Sequence, residues 1–82
     1  MKIYWDGENK NIIGDRLKMY RKAKNLTQKQ LAYQLQLSGH EFNELTILRI
    51  EHKTRFVSDM EIVALADYFG ISTDELLGVE EK

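Results

Sequence analysis

The chain has neither cysteine nor proline in its 82 residues, only five glycines and a single tryptophan. Without cysteine there is no disulfide framework, no thiolate nucleophile and no thiolate metal site, and a reducing, cytoplasmic setting fits. Without proline, nothing removes a donor from a helical hydrogen-bond ladder. No apolar run approaches the ~20 residues of a membrane span, so no membrane partner is expected. The opening stretch, Met1-Lys2-Ile3-Tyr4-Trp5-Asp6, is too short and too acidic for a secretory signal. Repeats and low-complexity segments are also missing. What is left is one small domain with one modest core.

The formal net charge is −1, which hides an uneven distribution. Residues 1–55 hold 11 Lys and Arg against 6 Asp and Glu, whereas residues 56–82 hold Lys82 against 7 acids. A basic part of +5 is thus joined to an acidic part of −6. Local field rather than total charge steers a polyanion, so a nucleic-acid partner is compatible with this composition.

Apolar residues recur at helical rather than strand spacing, and capping signals divide the chain into five helices, an all-α fold. Asn11 can cap the first, which places Ile13, Leu17, Tyr20 and Arg21 on one side. Thr27 with Gln30, Ser58 with Glu61 and Ser72 with Glu75 have capping-box spacing and open the second, fourth and fifth helices; Asn43 can cap the third. Apolar pairs that bracket four of these starts, Leu26/Leu31, Phe42/Ile47, Val57/Ile62 and Ile71/Leu76, have the spacing of hydrophobic staples. Gly70 and Gly78 fall where left-handed helix ends belong. The expected core consists of Leu31, Ala32 and Leu35, of Ile47 and Ile50, of Ile62, Leu65, Ala66 and Phe69, and of Leu76 with Leu77. Residues 1–10 read as an extension, 11–79 as the domain and 80–82 as a tail.

The third helix carries the chemistry. Ile47 and Ile50 mark its buried side, and at about 100° per residue Leu45, Leu48, Arg49 and His52 point the other way. A short helix with an uncovered outer face suits insertion into a DNA groove. Arg49 can donate two hydrogen bonds to guanine, Leu45 can pack on thymine methyls, Thr46 and Asn43 can bond bases or phosphates, and Glu44 can accept from a cytosine amino group. Gln28 and Lys29 lie at a helix N-terminus, which holds phosphate oxygens well, and Lys53 and Arg55 follow the third helix where they could grip the same backbone. The same residues also admit a plainer reading, with the leucines as a protein-contact patch and Arg49 as a solvated cation.

Catalysis has little to work with. His40 and His52 lack a partner at metal-binding spacing, there is no glycine-rich phosphate loop, and Ser38, Ser58 and Ser72 occupy turns or caps. No enzyme activity, metal or cofactor is expected.

Ile13-Gly14-Asp15-Arg16-Leu17 with Arg21, Leu26-Thr27-Gln28-Lys29-Gln30-Leu31-Ala32, Thr46-Ile47-Leu48-Arg49-Ile50-Glu51, and Ala66, Phe69-Gly70-Ile71-Ser72 and Asp74-Glu75-Leu76-Leu77 resemble, in order and spacing, the phage-repressor and Cro-like helix-turn-helix family, also called the XRE family. The resemblance spans residues 12–78. It implies a compact five-helix, lambda-repressor-like domain that binds double-stranded DNA as a homodimer on a two-fold operator and regulates transcription, most often as a repressor. By position it puts Gln28, Glu44, Leu45 and Arg49 at bases, Asn43 and Arg55 at phosphates, and Arg21 and Glu51 in a partly buried ion pair between the first and third helices.

Two features depart from that pattern. The connection through Gln36-Leu37-Ser38-Gly39-His40-Glu41 is about five residues longer than the family's turn, so either the second helix runs on or a loop forms. His52-Lys53 also replaces the usual Asn-Gly after the helix, where a left-handed residue other than glycine costs about 1 kcal/mol. The rival reading is an antitoxin-like or adaptor module that contacts a protein through Leu45, Leu48 and the apolar Ile3, Tyr4 and Trp5 of the extension. An exposed Glu51 would favour it.

Overall fold

Among the described residues five helices form in chain order: α1 (Gly14–Ala23), α2 (Gln28–Leu37), α3 (Glu44–Glu51), α4 (Asp59–Phe69) and α5 (Thr73–Leu77). The computed structural model describes residues 7–79, and no strand occurs among them. Expectations placed on Ile3, Tyr4, Trp5 and residues 80–82 lie outside the described residues.

Side-chain caps define most of the starts. Thr27, Ser58 and Ser72 each accept from the backbone N–H three residues on, and Gln30, Glu61 and Glu75 reach back to the cap, so all three capping boxes form. Asn43 caps α3 by accepting from Thr46 N. Each such cap contributes about 1 kcal/mol.

The start of α1 differs from expectation. Its cap position is Ile13, which makes no side-chain bond, and the helix begins at Gly14. Asn11 instead accepts from the Ile13 and Gly14 N–H groups and donates its amide to the carbonyls of Ile50 (3.1 Å) and Arg55 (2.9 Å). The tertiary partners of its amide hold it outside the helix.

One device closes all five helices. A residue in the left-handed region follows each helix: Asn25, Gly39, Lys53, Gly70 and Gly78. The next N–H then returns five residues, from Leu26 to Arg21, His40 to Leu35, Thr54 to Arg49, Ile71 to Ala66 and Val79 to Asp74. These bonds satisfy carbonyls that the helix itself leaves without donors. Lys53 adopts φ 61° here without being glycine, so the strained alternative for this turn is the one realised.

The core gathers Ile13 and Leu17 from the first segment, Leu31, Ala32 and Leu35, Phe42, Ile47 and Ile50, Ala64, Leu65 and Ala66, and Leu76. Ile62, Phe69 and Leu77 pack on it half-buried, as do the staple partners Leu26, Val57 and Ile71. Helix α3 sits between α2 and α1, which leaves one side of it to solvent.

The long connection combines the two alternatives. Helix α2 runs on to Leu37, and residues 38–43 form a loop. Phe42 anchors that loop in the core, and the Gln36 side-chain amide donates to the Phe42 carbonyl at 2.7 Å.

Candidate nucleic-acid interface

The placement of α3 starts with its inner face. Ile47 and Ile50 are fully buried, and Glu51 beside them is only 8% exposed. A carboxylate at that depth must be paired. Arg21 of α1 supplies a two-pronged partner, with Nε 2.6 Å from Oε2 and Nη2 2.9 Å from Oε1. The Gln28 amide adds a third donor to Oε1 at 3.2 Å, and Arg21 Nη1 donates to the Leu26 carbonyl. The hydrogen bonds that Arg21 donates to Glu51 raise its pKa above the ordinary value, against the lowering effect of burial. This network joins α1, the start of α2 and the end of α3.

Gly14 locks the same junction. A methyl group on it would stand 2.6 Å from the Ile50 carbonyl oxygen and 3.0 Å from that of Glu51. Backbone thus meets backbone where α1 begins and α3 ends. Nothing in the local sequence of Asn11 or Gly14 signals this role, because the partners lie nearly forty positions away.

With its inner face fixed, α3 turns Glu44, Leu45 and Arg49 to solvent, with Thr46 and Leu48 half-buried at the edges. Leu45 is 48% exposed. Asn43 uses its side-chain oxygen on the N–H and hydroxyl of Thr46, and its amide NH2 remains a donor. No hydrogen bond or ion pair ties down the side chain of Arg49 or Lys29 among the described residues, and both are exposed.

The other candidate cations are engaged. Lys53 Nζ lies 2.7 Å from the Asp15 carboxylate in an exposed pair. The Arg55 guanidinium grips Glu61 with two bonds, of 3.0 and 2.9 Å, and also donates to the Phe56 carbonyl. That hydrogen-bonded pairing raises the Arg55 pKa and lowers the Glu61 pKa. Glu61 therefore serves both its capping box and an ion pair, and Arg55 braces the turn into α4.

Lys29, Asn43 and Glu44 come together along one cleft between α2 and α3, whose other lining residues are Ala32, Tyr33 and Gln36. Arg55 lies apart, in a second depression with His40, Glu41 and Met60. Tyr33 and Gln36 were absent from the sequence-derived set. Their signal was there to find, since Lys29, Tyr33 and Gln36 follow each other at i, i+4 and i+7 on one helix face. No cluster of His, Cys, Asp or Glu able to hold a metal occurs among the described residues.

The sequence matches a helix-turn-helix domain family over residues 14–82. The chain belongs to the helix-turn-helix family. Its resemblance to the phage-repressor and Cro-like branch is supported by the solved structures it matches. The restriction-modification controller protein C.AhdI from Aeromonas hydrophila is 36% identical, covers 78% of this chain and 86% of its own, and superposes with a TM-score of 0.64. The BldD DNA-binding domain of S. venezulae is 23% identical over 85% of this chain and 97% of that one, with a TM-score of 0.69. A hypothetical transcription factor from Neisseria is 18% identical over 94% and 83%, also at 0.69. The last two likenesses concern the fold alone. No protein of curated function matches the sequence. Within this family α2 and α3 are the helix-turn-helix pair, and no helix of the described residues is long and apolar enough to cross a membrane.

Proposed function

We propose that the protein is a sequence-specific, double-stranded DNA-binding transcription regulator that reads the major groove with α3 and acts as a repressor. The observation that carries this reading is the division of α3. Ile47, Ile50 and Glu51 face inward, and Arg49 with Leu45 and Glu44 is left uncovered and unpaired. An uncovered helix face beside a basic chain segment is what groove insertion needs. The likeness to a restriction-modification controller supports a regulatory role.

In this reading Arg49 pairs with guanine, Leu45 packs on thymine methyls, Glu44 reads a neighbouring position, and Gln28, whose amide is held by Glu51, reads another with its side-chain oxygen. Asn43, Thr46, Lys29 and Lys53 hold phosphates and set the register. Arg55 adds to them with the donors that Glu61 and Phe56 leave. Two copies bind a two-fold symmetric operator as a homodimer, which doubles the contact set. The burial of Glu51 counts against an adaptor that contacts a protein through an acidic α3.

Selection from a random duplex pool at fixed salt supplies the test. Arg49→Ala should weaken binding to the selected duplex by about 1–3 kcal/mol and relax the preference at one base position. Equal affinity of variant and parent would remove the assignment.

A further inference from the structure

Three apolar residues in a row, Ile3-Tyr4-Trp5, take no part in the proposed reading of DNA. The described residues begin shortly after them, at Gly7, and hydrogen bonds fix the path from there. Lys10 N donates to the Lys53 carbonyl at 2.9 Å, and the Asn11 amide donates to the carbonyls of Ile50 and Arg55. The chain therefore enters the domain along the turn between α3 and α4. The aromatic of that turn is Phe56, which is 39% exposed, with Lys10 Nζ 5.4 Å from its ring centre. The Phe56 carbonyl accepts from Arg55, whose guanidinium Glu61 holds, so the backbone under the ring is braced. Gly7 adopts φ 92°, which glycine takes at little cost, and the chain bends at residues 7 and 8.

We propose that Ile3-Tyr4-Trp5 dock on their own domain, with Trp5 against Phe56, and clamp the turn between α3 and α4. Reach, surface and charge commit the seat to this occupant. Trp5 is five positions from Lys10, up to ~17 Å of extended chain, and the Lys10 ammonium is already at the ring. Adjacent tyrosine and tryptophan side chains carry large apolar area whose burial favours the docked chain, and aromatic pairs add to that gain. Asp6 adjoins Trp5, so docking brings a carboxylate toward the cation that stands over Phe56. Side chains alternate in an extended passage, so Ile3 shares the side of Trp5, and the Tyr4 hydroxyl is left to water. This inference does not rest on the DNA reading. It also withdraws the apolar cluster from the adaptor reading, which would need it turned toward another protein.

Trp5 is the single tryptophan of the chain, so its fluorescence reports on the seat directly. In the folded 82-residue chain its emission should lie to the blue of that in concentrated urea, and iodide should quench it less. Phe56→Ala should move both toward the unfolded values while circular dichroism keeps the helical signal, because Phe56 is not part of the buried core. If the alanine variant loses its helices, Phe56→Leu, which keeps apolar volume without the ring, takes its place and should also shift the emission to the red. Met60→Ala, at an apolar residue 80% exposed on α4, should change neither reading. Trp5→Ala and Phe56→Ala should each lower the melting temperature, and the double variant by less than the sum of the two, as for residues in contact. Parental emission already at the unfolded value would overturn the proposal. So would an unchanged emission in the Phe56 variants, a shift in Met60→Ala in their place, or additive melting losses. A blue shift that grows with protein concentration would assign the seat to a second copy's Trp5 and overturn docking within one chain.

Discussion

At the scale of single residues, Glu51 decides most. It is held by Arg21 and Gln28 at a depth where an unpaired charge is costly. Glu51→Ala leaves the Arg21 guanidinium buried without its carboxylate, and unfolding should become easier by about 3–5 kcal/mol. A urea midpoint equal to the parent's would show that the pair contributes nothing to the fold. Such pairs fix geometry more than they add stability, because desolvation opposes the attraction. Here the geometry fixed is the roll of α3, and with it the direction of Arg49. The pairing was legible only through the resemblance, since nothing in the local sequence of either partner announces the other. The left-handed turn at Lys53 was legible as an alternative, because the family's glycine is missing at that position.

At the scale of elements, the starts of helices were the most legible part of the chain. A capping box is a local code, three residues long, and Thr27, Ser58 and Ser72 carry it in the letters themselves. Where partners lie far apart the code fails. Asn11 has the composition of a cap, yet its amide is taken by carbonyls 39 and 44 residues away, and α1 begins later than the letters suggest. The crossing of α1 and α3 is of the same kind. Gly14→Ala places a methyl against two carbonyl oxygens of α3 that cannot rotate aside. The expected outcome is destabilisation by about 1–3 kcal/mol, although alanine is the better helix former, and a lower melting temperature checks it. An unchanged or higher melting temperature would mean the two helices separate at little cost. The connection between α2 and α3 became clear only with Phe42 in the core, because a five-residue surplus can be absorbed by helix or by loop and here is shared between them.

For the whole molecule, the acid side of the stability curve has an identifiable contributor. The Glu61 pKa is lowered in the folded chain, chiefly by the hydrogen bond from Arg55. Its contribution is therefore complete above the unfolded value of about 4.3 and fades as pH falls through the lower folded value. Glu61→Gln keeps the reach-back to Ser58 but removes this titration. Between neutral pH and pH ~3 the variant should lose less stability than the parent, by under ~1 kcal/mol for a partly exposed pair. Identical losses, read from urea midpoints at the two values, would assign the acid limb to other groups. The division into a basic and an acidic part also acquires a finer grain, because some cations of the basic part are already answered within the chain, Lys53 by Asp15 among them. Asp15 is an internal substitute for the anion that the proposed partner would bring, so docking is an exchange of one oxygen ligand for another. In the proposed complex Asp15 would compete with phosphate for Lys53, and weakly, since an exposed pair of this kind holds by under about 1 kcal/mol.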